Sequence, residues 1–217
     1  LKELENNNGR DWYHAHKTER LAAQAQFEEL LQQLILEIAK FDPVVLPLAQ
    51  DVNALTFKMQ RDTRFSHDKS PYNPAFRAHI GPAGKVPVPV GYYGVLRPGA
   101  SFVGGGLFAG MFKDATARVR GAIAQKGSEF EAIVTAPACG FEVKGEKPKK
   151  GAAGCDAAHP QAEYLKYKSW YLEDPLSKAA LQSGQQFRKA AAEVFQRMKP
   201  FNDFLNEALH GFEMPTR

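Results

Sequence analysis

The chain has 217 residues, 44% hydrophobic and 24% charged, with 28 Lys+Arg against 24 Asp+Glu and a formal net charge of +4. Its 18 Gly and 14 Pro follow no period and aromatic residues make up 11% of it, a soluble globular profile that excludes collagen, coiled coil and bulk disorder. A chain of this length buries roughly 70% of its unfolded surface, and a single domain over residues 1–217 is expected. Two isolated cysteines, Cys139 and Cys155, are too few for a disulfide framework or a four-cysteine zinc site, which points to the reducing cytoplasm. No apolar run reaches the about 18 residues of a membrane helix. The most apolar helix candidate is broken by Glu28, Glu29, Gln32, Gln33 and Glu37, so no membrane partner is expected. The chain opens at Leu1 rather than Met, so native sequence upstream is expected to be missing and a removed signal peptide is left open.

Asn6-Asn7-Asn8-Gly9 reads as a turn and cap before an ordered stretch with Trp12 and Tyr13. Phe27, Leu30, Leu31, Leu34, Ile35 and Ile38 recur three and four apart, which predicts a long amphipathic helix ended by Asp42-Pro43. Short strands are predicted at Leu55 to Met59 and at Phe76 to Ile80, the latter alternating with Arg77 and His79. Gly91 to Leu96 and Ser101 to Leu107 form a predicted hairpin around Arg97-Pro98-Gly99-Ala100. Helices are then predicted from Phe112 to Ile123 and around Phe130 to Val134, followed by an exposed loop between Lys144 and Gly154. Three helices close the reading: Ala162 to Tyr171, Phe187 to Met198, and Phe201 to Leu209 after Pro200. Helices at both ends of a central run of strands predict an α+β fold with a mostly antiparallel sheet.

The segment from Lys58 to Arg77 holds five cations and two anions, a formal +3 of the chain's +4. If helical, it would put Arg61, Arg64 and Asp68 on one face, and guanidinium forks suit a carboxylate or phosphate. The competing reading is an Arg–Asp network that pins a polar loop to the domain. Other constellations are weaker. Gly104-Gly105-Gly106, leading to Arg118 and Arg120, offers backbone N–H groups to an anion but lacks a phosphate-loop or dinucleotide pattern, so close strand packing is favoured. Lys144, Lys147, Lys149 and Lys150 suit nucleic acid only if they share a face with Arg61 to Arg77, and no aromatics are interleaved among them. His14-Ala15-His16 makes a poor metal pair, and no metal site is expected. Ser66-His67-Asp68 has the residue types of a hydrolase relay without its geometry. Asp62 and Asp68, six apart, give only weak support for a Mg²⁺ ion beside a phosphate.

The string Arg61-Asp62-Thr63-Arg64-Phe65-Ser66-His67-Asp68-Lys69-Ser70-Pro71-Tyr72 resembles the R-D-x-R-F-S-x-D-K-x-P-Y signature of the domain of unknown function 2461 family, a group of bacterial and fungal proteins. Asn7-Asn8-Gly9-Arg10-Asp11-Trp12-Tyr13 resembles that family's N-N-x-R-E-W-F opening, and Gly104-Gly105-Gly106-Leu107 with Arg120 resembles its G-G-G-L segment and following Arg. His159-Pro160, Leu165, Lys166 or Lys168, Ser169 and Pro200-Phe201-Asn202-Asp203-Phe204-Leu205 match its C-terminal landmarks. The loop before His159, Lys149-Lys150-Gly151-Ala152-Ala153-Gly154-Cys155, departs from the K-G-aromatic stretch of the pattern. The resemblance implies a single α+β domain with no assigned activity, cofactor or catalytic residue. Together the residues and the resemblance lead to one expectation: Arg61, Arg64, Lys69 and Tyr72 line a pocket for a phosphorylated or carboxylated small molecule, with Asp62 and Asp68 orienting the cations. The alternatives are a structural or partner-binding domain in which the same residues form a buried ion-pair network, and nucleic-acid binding, against which the modest +4 argues.

Overall fold

Four strands pair in one antiparallel sheet, ordered β1 (Phe76–Ile80), β2 (Gly91–Leu96), β3 (Phe102–Leu107) and β4 (Trp170–Pro175). The computed structural model describes residues 1–108, 110–147 and 158–215. Short helices α1 (Lys2–Asn6) and α2 (Arg10–Ala15) lead into α3 (Lys17–Ile38), and 3-10 turns cover Pro43–Gln50 and Val52–Leu55. Helices α4 (Lys113–Gln125), α5 (Gly127–Thr135) and α6 (Ala162–Leu165) lie between β3 and β4, and α7 (Gly184–Ala208) closes the fold. The α+β class and the antiparallel sheet follow the sequence expectation.

One face of the sheet is buried against α3 and α7. Phe76 stacks on Phe27 of α3 with ring centroids 5.0 Å apart, and Tyr92 packs on Phe195 of α7 at 4.9 Å. Ile80, Val103, Leu107, Trp170 and Leu172 join this core at 0 to 1% exposure. The Tyr92 hydroxyl reaches its rim and donates to Asp42 Oδ2 at 2.8 Å, so burial next to a carboxylate pushes the phenol's pKa well up.

Three readings of the elements are corrected. The Ala162 to Tyr171 helix stops at Leu165, because Trp170 to Pro175 pairs with β3 in register Leu107↔Trp170 and Gly105↔Leu172. The two C-terminal helices are one, α7, with Pro200 inside it. Pro200 forfeits a helical hydrogen bond, and burial of Phe201, Phe204 and Leu205 on the same stripe as Phe195 and Met198 offsets that loss. The Leu55 to Met59 strand reduces to a 3-10 turn and a single bridge, Thr56↔Ala78. The first long helix begins at Lys17, ten residues before its apolar stripe. In the predicted loop from Lys144 to Gly154, Lys144 bridges Tyr171, and Lys149, Lys150 and Cys155 lie outside the described residues.

The triple glycine of β3 is a packing device. Both edges of β3 are occupied by ladders to β2 and β4, so its backbone is committed to the sheet. A Cβ at Gly105 would sit 2.9 Å from Asn202 Oδ1, and Asn202 is buried in α7 with its Nδ2 donating to the Gly91 carbonyl at 3.1 Å. Replacing Gly105 with Ala must therefore displace that amide and strand a buried polar group. Gly105→Ala is expected to destabilise the fold by about 1–3 kcal/mol, read as a lower urea midpoint at unchanged slope.

Candidate functional site

The charged segment is a closed loop, not a helix. Its stem is a short antiparallel pairing in which Asn73 N–H donates to the Met59 carbonyl at 2.7 Å and Arg61 N–H donates to the Pro71 carbonyl at 2.9 Å. The three-and-four spacing of Arg61, Arg64 and Asp68 therefore does not define a face. Arg61 pairs across the loop with Asp68 and donates to Ser66 Oγ at 3.3 Å. Arg64 forks onto its neighbour Asp62 through Nε at 3.0 Å and a terminal nitrogen at 2.6 Å. Lys69 Nζ caps the Thr63 carbonyl at 3.0 Å, and the Ser70 hydroxyl and N–H both donate to Asp68 Oδ1, at 2.6 and 2.9 Å.

These pairs are not buried. Side-chain exposure is 78% for Arg64 and 58% for both Asp62 and Asp68, with only Arg61 partly covered at 27%. The expectation of a buried ion-pair network is corrected accordingly: the pairs exist, and solvent screens them. The Arg64 fork holds the Asp62 carboxyl below its ordinary pKa. Ser70, and then Arg61, hold Asp68 well below.

The loop is fastened to the N-terminus at Tyr72. Asn8 Nδ2 donates to the Tyr72 carbonyl at 2.9 Å and Asn8 Oδ1 accepts from the Tyr72 N–H at 3.1 Å, so one amide side chain replaces a strand neighbour. The Tyr72 ring stacks on Tyr13 at 3.7 Å with 11° between planes, and Arg20 lies over the Tyr13 ring at 3.5 Å. Leu4, Tyr13 and Tyr72, with Trp12 and Met59 against them, form a small cluster apart from the main core.

Between this junction and the β2–β3 turn lies an open groove of about 560 Å³, lined among others by Glu5, Asn8, Arg61, Asp68, Tyr72 and Arg97. Of the sequence candidates, Arg61, Asp68 and Tyr72 line it, and Asp62, Arg64 and Lys69 do not. Arg97 and Glu5 escaped the sequence reading because Arg97 looks like part of a turn and Glu5 like a solvated helix residue. The turn is braced: Arg97 N–H donates to Ser101 Oγ at 3.1 Å, Nε donates to the Ala100 carbonyl at 3.2 Å, and Gly99 supplies the left-handed φ of 73°. Among the described residues no carboxylate forms an ion pair with Arg97, whereas Arg61 is paired with Asp68.

Other sequence candidates have structural partners. Arg118 donates to the His210 and Gly211 carbonyls, and Arg120 twice to the Tyr167 carbonyl. Ser66 and Asp68 both hold Arg61, so no relay through His67 forms. His16 Nδ1 lies 2.8 Å from the Trp12 carbonyl, and among the described residues no cluster of three or more His, Cys, Asp or Glu could hold a metal. Lys144 pairs with Glu173 and Lys147 with Glu163, on the β4 side of the sheet, whereas Arg77 is on β1 at the opposite edge. No helix among the described residues is long and apolar enough to cross a membrane.

Asp68 yields a pH prediction. Because its folded-state pKa is depressed, its contacts are complete above the ordinary carboxylate pKa and are lost only as pH falls through the depressed value. In Ser70→Ala the carboxyl loses its largest stabilising donor, and a carboxyl-carbon NMR titration is expected to show Asp68 titrating at higher pH than in the wild type. An unchanged titration would show that Ser70 does not hold it.

The family model for conserved hypothetical proteins named DUF2461 matches residues 1–204. No curated protein and no solved structure matches the chain. The chain belongs to the DUF2461 family.

Proposed function

We propose that this member of the DUF2461 family binds a small carboxylate-bearing molecule in the groove between the Arg61 loop and the Arg97 turn. The observation that carries the reading is the convergence of two guanidinium groups from separate elements on one concavity, alongside Asn8 and Ser70 as further hydrogen-bonding groups. Arg61 is oriented by Asp68 and Ser66, and Arg97 by its own turn, so little side-chain freedom remains to be lost on binding. The charge balance selects between the two anion classes that the sequence suggests. Glu5 and Asp68 line the same groove, and two carboxylates beside two cations suit a singly charged carboxylate better than a doubly charged phosphate.

A reaction is not part of the proposal, since among the described residues neither an aligned nucleophile nor an acid–base pair supports one. The buried free thiol of Cys139, at 4% exposure, supports a reducing, cytoplasmic setting.

The test is thermal unfolding and calorimetric titration with a panel of mono- and dicarboxylates, amino acids and sugar phosphates. A ligand at about 100 times its dissociation constant adds roughly 2.7 kcal/mol and several degrees to the melting temperature. Arg61→Ala and Arg97→Ala are each expected to weaken the bound carboxylate about 10- to 100-fold, the equivalent of one charged hydrogen-bonding group. Arg64→Ala, outside the groove, is expected to bind as the wild type does. Equal loss in Arg64→Ala would contradict the placement of the site.

A further inference from the structure

Behind the Tyr13–Tyr72 junction is a second concavity, of about 260 Å³, lined by Arg20, Lys58, Lys85, Phe57 and the amides of Gln24 and Gln60, among others. We infer that this pocket is a separate binding site for the phosphate group of a phosphorylated small molecule. It does not depend on the carboxylate reading of the Arg61 groove, with which it shares no lining residue.

Three observations support it. First, the three cations come from three elements: Arg20 from α3, Lys58 from the segment after the second 3-10 turn, and Lys85 from the β1–β2 connection. Second, no carboxylate lines the pocket, and among the described residues none forms an ion pair with any of the three. Lys126, Lys144, Lys168 and Lys199, by contrast, each lie within 3.0 Å of a carboxylate. Glu28 is close by, and it accepts from the Gln24 amide at 2.6 Å. Third, Arg20 is already held in place, with Nε donating to the Tyr13 carbonyl at 2.8 Å and the guanidinium over the Tyr13 ring, 3.5 Å from its centroid.

Three like charges around one concavity repel each other, and a multiply charged anion relieves that repulsion. A phosphate matches both the guanidinium fork and the point charges of the lysines. Leu21, 56% exposed, and Phe57, 38% exposed, offer apolar contact to the organic part of the ligand. The absence of a lining carboxylate is what distinguishes this pocket from the Arg61 groove and assigns it the more highly charged ligand.

Inorganic pyrophosphate is the probe, titrated calorimetrically into the full chain. The expected result is saturable binding that weakens at least about tenfold in a Lys58→Gln, Lys85→Gln double variant and stays within about twofold of wild type in Arg61→Ala and in the surface control Lys113→Gln. Both lysines of the double variant are exposed, so an unchanged melting temperature without ligand confirms that it folds. The inference is overturned if the wild type does not bind pyrophosphate, if the double variant binds it as tightly as wild type, or if Lys113→Gln loses as much. Loss in Arg61→Ala alone would move pyrophosphate to the other groove and equally overturn it. The carboxylate titrations of the Arg61 groove are read independently of all these outcomes.

Discussion

The attachment of Tyr72 to the N-terminal segment is the constraint on which both concavities depend. Asn8 and Tyr72 are 64 residues apart in sequence, yet one amide side chain completes both backbone hydrogen bonds of Tyr72. The stack of Arg20, Tyr13 and Tyr72 then clamps the same point from the ring side. Two hydrogen bonds at about 1 kcal/mol each and an aromatic pair at about 0.5–1.5 kcal/mol form a modest local unit. It is small beside the main core, in which Trp170, Phe195 and Phe201 are fully buried. Tyr72 lines the Arg61 groove and Tyr13 lines the cationic pocket, so this junction is the wall between them.

Electrostatics differ on the two sides of that wall. On one side, Arg61 and Arg97 face Glu5 and Asp68; on the other, Arg20, Lys58 and Lys85 face no carboxylate. The sheet supports both arrangements at a distance. The β2–β3 turn delivers Arg97 and the β1–β2 connection delivers Lys85, while the helix-covered face of the sheet carries the hydrophobic stabilisation. A ligand at either proposed site then needs no change in the core.

Much of the fold was legible in the letters where period and burial agree. The stripe from Phe27 to Ile38 is a helix face, and the Arg97-Pro98-Gly99-Ala100 turn joins two paired strands. Legibility failed where a tertiary partner decides. Trp170 and Tyr171 end a helix-like run from Ala162, and only pairing with β3 on the edge opposite β2 makes them a strand. Pro200 reads as a boundary, and only the buried stripe of α7 carries the helix through it. The candidate site was legible as a composition and illegible as a geometry. The charge excess between Lys58 and Arg77 marked the region, yet helical spacing grouped Arg61 with Arg64, whereas the loop closes Arg61 onto Asp68 and turns Arg64 outward. Asn8 and Arg97 read locally only as parts of a cap cluster and a hairpin turn, and Lys85 gave no signal, because each gains its neighbours here from elements distant in sequence.

The most direct measurement of the central claim is hydrogen–deuterium exchange across the whole chain in the wild type and in Tyr13→Leu. If the junction is a separate structural unit that holds the loop, exchange will accelerate together at residues 1–16 and 59–73 while β1 to β4 and α7 keep their protection. Unchanged protection at 59–73, or loss of protection across the sheet as well, would contradict it.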